Sequence, residues 1–405
     1  VTRFKVVAAL LAALAVTGPA LAADPDPQNW AAVEEEATGQ TVYFHAWGGE
    51  PRINAYIGWV ADQLKARHDV DLVHIKVTDT SGVVAQVLAE KTAGRDTGGS
   101  VDLVWINGEN FAAMVRHDLL MRPGWAMVLP NWDYVDTDGK PTVLTDATLR
   151  IDGLESPWGM AQLVFLHDTE TLPDPPRTLD ALADSVEANP GRFTYPQPPD
   201  FLGTTFLKQL LLTYAPDRLA LDRPVTDAAF ETAAGPVFDW LDRVTPHLWR
   251  QGKAYPRSVS ELRRLFADRE IDLAFTFNPS DASAAIADGE LPESVRPYLL
   301  EGGTIGNSHF VAIPYNANAK AGALVVANVL LSPEAQARKA DPDVWGDPTV
   351  LDVAGLPDAD RARFDALAED PAILPPSAMR PTLREPDPSW TERLEAAWTA
   401  RYGAR

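Results

Sequence analysis

VDLVWINGENFAAMVRH, residues 101–117, holds three kinds of sequence in a row. Val101 to Ile106 is an apolar run of strand length. Asn107 to Asn110 is a polar loop with a glycine inside it. Phe111 to His117 returns to helical spacing. A strand that ends in a polar loop and opens a helix is the repeating unit of a parallel α/β sheet. The unit recurs upstream. TVYFHA (41–46) reads as a strand, Gly48-Gly49 breaks it, and a helix follows from about Pro51, a residue favoured in the first helical turn. Ile53, Tyr56, Ile57, Val60 and Leu64 fall on one face of that helix. Val70 to Val77 reads as the second strand. Ser81-Gly82 opens a helix carrying Val83, Val84, Val87 and Leu88. The order is β-α-β-α-β.

Downstream, Gln162 to His167 reads as another strand, and Pro173-Asp174-Pro175-Pro176 punctuates the chain. Helices are expected at about 178–189, 204–214, 226–249 and 258–267, and strands at 193–196 and 272–277. A second α/β lobe is therefore expected. Gly306 to Tyr315 returns as a strand and Ala319 to Leu331 as an apolar helix. The segment from Asp341 is rich in Pro and Asp. It ends in an amphipathic helix with an expected capping box from Ser389 to Glu392.

Arg3 and Lys5 precede an apolar run, Val6 to Val16, too short to span a bilayer comfortably. Ala20-Leu21-Ala22 is a small-x-small cleavage site, so residues 1–22 read as a signal peptide. The initial Val reads as a GTG start translated literally. The chain has no cysteine, which excludes disulfides, thiolate catalysis, Cys-ligated metal and a lipoprotein anchor. A free protein in the periplasm is expected. The formal net charge is -22, and removal of Arg3 and Lys5 makes it more negative still. No basic stripe is present, which argues against nucleic acid. With 12 Trp, some indoles are expected on recognition surfaces.

Seven histidines are scattered, with no HExxH spacing. There is no GxSxG elbow, and Gly94 to Gly99 lacks the Lys-Ser/Thr ending of a Walker loop. No catalytic residue, cofactor or metal site is expected. Ligands of open parallel sheets sit beyond the carboxyl ends of the strands. Four places satisfy that rule. Trp47-Gly48-Gly49 ends the first strand, where the glycines admit a close ligand, although a packed Trp with turn glycines explains them equally. Ser81 follows the second strand as a natural N-cap. Asn107, Glu109 and Asn110 follow the third, where Glu109 also complements the helix dipole. The run Phe193 to Phe206 offers Tyr195 as a stacking platform and Thr204 and Thr205 as donors. Trp47 and Tyr195 are expected to face each other across a cleft.

These segments carry a pattern. WGGEPRINAYIGWV (47–60), VDLVWINGENFAAMV (101–115), SPWGMAQLVFLHD (156–168), FTYPQPPDFLGTTFLKQLL (193–211), LFADREIDLAFTFNPSDASAAI (265–286), the long run from Gly303 to Pro342 containing LLSPEAQ, and VWGDPTVLD (344–352) together resemble the periplasmic binding proteins of ABC importers, in particular the YnjB-type family. The resemblance implies a two-lobe α/β periplasmic-binding-protein fold. Each lobe would be a mainly parallel sheet flanked by helices, with the ligand in the cleft between them. Lobe 1 would comprise 23–160 and 280–332, and lobe 2 would comprise 161–279 and 333–405. SPWGMAQLVF would be the first hinge crossing, placing Trp158 and Gln162 near the hinge. FTFNPSDAS would be the second, placing Asn278 near the cleft. The tail past residue 352 matches the group poorly.

The resemblance implies a monomer that takes a small-molecule ligand and meets ABC permease subunits in the inner membrane. A secreted hydrolase and a sensing lobe for a membrane receptor are the alternatives. Ligand charge is read two ways. Helix starts at Gly49, Ser81, Asn110 and Thr204 favour anions. Glu109, Asp200 and the aromatic rings favour a cation. The candidate loops hold no Lys and no Arg but Arg52, so the balance tips to a cationic or zwitterionic organic solute, thiamine-like or polyamine-like.

Overall fold

The computed structural model describes residues 24–403 other than 368, 376, 377 and 380. The expected signal peptide lies outside the described residues. The first lobe opens with α1 (Trp30–Ala37), β1 (Thr41–Trp47), α2 (Pro51–His68), β2 (Asp71–Val77), α3 (Ser81–Thr92), β3 (Leu103–Ile106) and α4 (Glu109–Arg116). A small hairpin follows, β4 (Thr145–Asp146) and β5 (Leu149–Arg150). Strand β6 (Glu155–Gln162) leads through Leu163 alone into β7 (Val164–Asp168). The second lobe then runs α5 (Leu179–Ala188), α6 (Phe201–Tyr214), α7 (Asp227–Val244), α8 (Val259–Ala267), β8 (Leu273–Thr276), α9 (Asp281–Ala287) and β9 (Val295–Tyr298). The chain returns as β10 (Thr304–Ala312) and continues through α10 (Lys320–Leu330), α11 (Pro333–Ala340) and α12 (Asp358–Asp365). It ends with β11 (Thr382–Leu383) and α13 (Ser389–Tyr402).

The first sheet is six-stranded. β1 pairs in parallel with β2 and β3, β10 runs antiparallel to β3 and β6, and β11 joins the start of β10 in parallel. The second sheet has three strands, and both pairings of its central β7 are antiparallel. The mainly parallel arrangement thus describes the first lobe and not the second. Helix α2 shows why the sequence signal was clear. Glu50 caps it through the Arg52 amide, Pro51 occupies the first turn, and Ile53, Tyr56, Ile57, Val60 and Leu64 are all buried. A run of branched and aromatic side chains on one face needs an apolar partner, and here that partner is the sheet.

Four expectations fail for physical reasons. Residues 193–196 form no strand: Pro196, Pro198 and Pro199 lack donors, and Phe193 instead accepts from the Trp249 amide. The return crossing is not FTFNPSDAS. Residues 273–276 are β8, and Ala282 and Ala285 of α9 pack in the second core. The chain returns at 299–303, after β9, a strand disguised by its internal Pro297. The expected division placed 333–405 with the second lobe, yet Trp345, Val350, Leu351 and Leu356 pack in the first core, whereas Trp390, Leu394 and Trp398 pack in the second. The capping box does not form: Asp387 accepts from the Ser389 amide and hydroxyl and replaces it.

Candidate functional site

The rim of the first lobe is built from the ends of β1, β2 and β3. Trp47 stands 38% exposed at the end of β1. A Cβ on Gly49 would collide with the Trp47 indole, and one on Gly48 would come within 2.6 Å of the Lys76 side chain. Both glycines therefore let the backbone fold over these neighbours. Ser81 is the first residue of α3 and not its N-cap; Thr80 precedes it and donates to the Trp105 carbonyl at 3.1 Å. Asn107 and Asn110 are half-buried at the β3–α4 turn. Gly108 has φ 62° there, a conformation that suits glycine, and its amide donates to both oxygens of Asp146 at 2.8 Å.

Glu109 lies beside that turn. It is accessible to solvent, yet desolvation by surrounding protein is the largest influence on its carboxyl and raises its pKa. Lys208 of α6 opposes the rise, and Glu385 and Glu395 add to it. Charges from the second lobe and the C-terminal segment thus act on a first-lobe acid. Lys208 donates to Glu385 at 2.6 Å, with only 4% and 7% of the two side chains exposed. Burial disfavours the Lys208 ammonium, but Glu385, Glu109 and Glu395 more than compensate and hold its pKa above the ordinary value. Asn307 of β10 donates to the other Glu385 oxygen at 2.7 Å, and Thr204 donates to Glu395 at 2.6 Å.

Beneath the turn sit two more acids. Burial pushes the Asp146 carboxyl up to about 8, with Glu385 and Glu109 contributing in the same direction. Glu155 is fully buried, neither of its oxygens has a partner, and burial with the nearby Asp146 raises its pKa well above the carboxylate range. No group of three His, Asp or Glu among the described residues could hold a metal ion.

The second lobe departs from expectation at its aromatic loop. Tyr195 is fully buried against Phe206, Tyr255 and Trp398, and its hydroxyl accepts from the Trp398 indole at 2.9 Å. It is a core residue and does not face Trp47. Asp200 caps α6 by accepting from the Leu202 and Gly203 amides, so the helix starts earlier than expected. Thr205 bonds back to the Phe201 carbonyl at 2.7 Å and offers no free donor. Phe201, 49% exposed, meets Phe277 edge-to-face at 5.2 Å. Asn278 accepts from the Ser280 amide at 3.1 Å, organising the turn before α9.

Trp158 and Gln162 lie on the hinge strand β6 but face inward. The Gln162 amide donates to the Thr304 hydroxyl at 3.0 Å. Trp158 is fully buried among Trp105, Trp345 and His309, with centroids 4.9, 5.4 and 5.5 Å away. A Cβ on the adjacent Gly159 would collide with Asp347, His309 and Lys339. These three form a buried network in which His309 and Lys339 hold the Asp347 carboxyl below its ordinary value although burial alone would raise it.

Of the residues expected at the site, Thr204 is buried with its hydroxyl committed to Glu395 and so offers no free donor, while Glu109 is exposed; Asp146, Glu155, Lys208, Glu385 and Glu395 had not been singled out. Lys208 had a signal: it interrupts FLKQLLL, and a charge in a helix apolar on all sides requires a buried partner. Glu385 and Glu395 had none, because their partners are remote in sequence.

Two lobes with a strand passing between them at Leu163 define the class of periplasmic-binding-protein folds. The chain belongs to the bacterial extracellular solute-binding proteins, whose family pattern matches residues 59–373. It is 46% identical over 375 residues to protein YnjB of Escherichia coli strain K12, spanning 93% of this chain and 94% of that one. Among solved structures it is similar to the periplasmic binding protein AfuA of Actinobacillus pleuropneumoniae, with fructose-6-phosphate bound (TM-score 0.61, 15% identity, 91% of this chain and 100% of that one). The spermidine/putrescine-binding protein PotD of Streptococcus pneumoniae is similar to the same degree (TM-score 0.61, 13% identity, 89% and 98%). Iron-bound HitA of Pseudomonas aeruginosa follows (TM-score 0.59, 15% identity, 88% and 98%). At these identities the structures establish the fold alone.

Proposed function

We propose that this chain is the non-enzymatic solute-capturing component of an ABC importer, working in the periplasm and delivering its cargo to permease subunits in the inner membrane. The cargo is a small organic solute with a positive charge, cationic or zwitterionic, held in the interlobe cleft. The observation that carries the reading is the group of carboxylates around Lys208: Glu385 accepts from Lys208 at 2.6 Å, Glu395 accepts from Thr204 of the same helix, and Glu109 of the first lobe is within electrostatic reach of all three. Three carboxylates against one ammonium leave an excess of negative charge in a desolvated place, where a cation is attracted far more strongly than at an open surface. Trp47, Gly48, Gly49, Asn107, Asn110 and Asn278 edge the same cleft on this reading, and the exposed Trp47 and Phe201 rings suit the apolar part of the solute.

Native mass spectrometry of freshly purified protein tests it, because a tight solute survives purification. A thermal-shift panel of diamines, betaines, thiamine, sulfonates and phosphonates tests the charge. Stabilisation by cations or zwitterions is expected, with Glu109→Gln weakening it. Stabilisation by the anions alone would sink the reading. Solute binding should also lower the radius of gyration as the lobes close.

A further inference from the structure

The chain passes between the lobes once more after the two crossings at β6–β7 and β9–β10. It leaves the first core with Phe364 of α12 and reaches the second with Ala372. It then lays β11 along the start of β10. The fit is close. A Cβ on Gly303 would collide with the Pro381 carbonyl, and one on Gly306 would come within 2.6 Å of the Thr382 methyl. Beyond β11, Glu385 takes its bonds from Asn307 and Lys208. Asp387 accepts from Thr148 of the first-lobe hairpin at 3.4 Å. Helix α13 then packs into the second core and turns Glu395 onto Thr204. One short segment therefore touches the first lobe, the hinge and the second lobe.

A second observation points to a ligand there. Asn307 is 7% exposed, its amide nitrogen is committed to Glu385, and its side-chain oxygen has no partner. Buried acceptors without donors are costly, and they are satisfied by a group that brings N–H bonds. A carboxylate set beside an unpaired amide oxygen matches an ammonium, which offers several donors and a charge at once.

We propose that residues 381–395 are a strap that completes the solute site, with Glu385 and Glu395 joining Glu109 of the opposite lobe to receive a primary ammonium group and Asn307 Oδ1 accepting one of its N–H bonds. The proposal rests on the cleft being the solute site, as argued above. Lys208 is the internal counter-ion that holds Glu385 in place. Because the strap is tied to both lobes, the residues that sense the charge of the solute are the ones that span the hinge.

Full-length protein carrying 13C at its glutamate carboxyl carbons is titrated with n-butylammonium, and separately with n-butanol and butyrate. Glu109→Gln, Glu385→Gln and Glu395→Gln assign the three resonances. Butylammonium should move all three, and neither control should. Glu395→Gln keeps an acceptor for Thr204 but loses the charge, and should weaken butylammonium binding about tenfold or more. Glu231→Gln, at an exposed position of α7, should leave it unchanged. If the Glu109 resonance moves while those of Glu385 and Glu395 do not, the strap proposal is overturned and the cleft reading stands. If butyrate moves them, or butylammonium moves none, both are overturned.

Discussion

Lys208→Met tests the cleft by removing one side of its buried ion pair. Lys208 and Glu385 are 2.6 Å apart with 4% and 7% of their side chains exposed, so water screens little. The substitution leaves Glu385 with a single donor, the Asn307 amide. Breaking a buried pair from one side costs about 3–5 kcal/mol, since the surviving charge has lost both water and partner. The pair is not symmetric. Lys208 is also favoured by Glu109 and Glu395, so Glu385→Gln leaves it partly compensated and should cost less than Lys208→Met. The double substitution leaves no stranded charge and should be more stable than Lys208→Met alone. Urea unfolding at pH 7 followed by Trp fluorescence measures all four proteins, with circular dichroism run in parallel because two lobes can unfold separately. Loss of less than about 0.5 kcal/mol in Lys208→Met, or strict additivity in the double variant, would refute the electrostatic account of this cleft.

Three further outcomes follow from the geometry. Tyr195→Ala should cost about 3–5 kcal/mol as a core truncation, and Tyr195→Phe about 1–3 kcal/mol through the stranded Trp398 indole, with solute affinity unchanged when the folded fraction is corrected for. Denaturation midpoints and titration calorimetry check both. Asp146 titrates near 8 in the folded protein against an ordinary 3.8, so the native state holds a proton the unfolded chain has released. Its contribution to stability therefore falls as pH rises from 3.8 to about 8, by at most about 1.4 kcal/mol per pH unit; Asp146→Asn should lose less stability between pH 5 and pH 8 than the parent, and parallel curves would contradict it. Gly159→Ala drives a methyl into Asp347, His309 and Lys339 and should destabilise by about 1–3 kcal/mol or more, measured as a lower urea midpoint.

The first lobe was legible because its signals are local. The faces of α2 and the strand-loop-helix unit around Gly108 depend on residues a few positions apart, and they lie where the spacing puts them. The second lobe was legible in its helices and less so in its sheet. Pro297 hides β9, and the pairing direction of β7 is set by chain paths that no short window contains. Tyr195 misled for a related reason. Prolines around an aromatic look like an exposed loop, but Trp398 and Tyr255 close over it from far along the chain. Burial of a residue is a property of what arrives later, and the sequence around Tyr195 holds no trace of α13.

Charge means different things on the surface and in the site. A formal charge of -22 is spread over a large surface, and salt screens such charges beyond about 8–10 Å, so it says little about one solute. Five carboxylates around one turn and one hinge are a different matter: Glu109, Asp146, Glu155, Glu385 and Glu395 affect one another's pKa or that of Lys208. Two of them relieve the repulsion by keeping their protons, as burial dictates for Asp146 and Glu155. Glu385 relieves it by pairing with Lys208. Glu109 and Glu395 have neither remedy in full: Glu109 is open to the cleft, and Glu395 has the hydroxyl of Thr204. On the proposed reading their charge lies on the two sides of the solute cleft, where bringing the lobes together without a cation between them would raise the energy of both. If the proposed site is right, closure and capture of a positive group are favoured together, the coupling a carrier would require to present its cargo in the closed form.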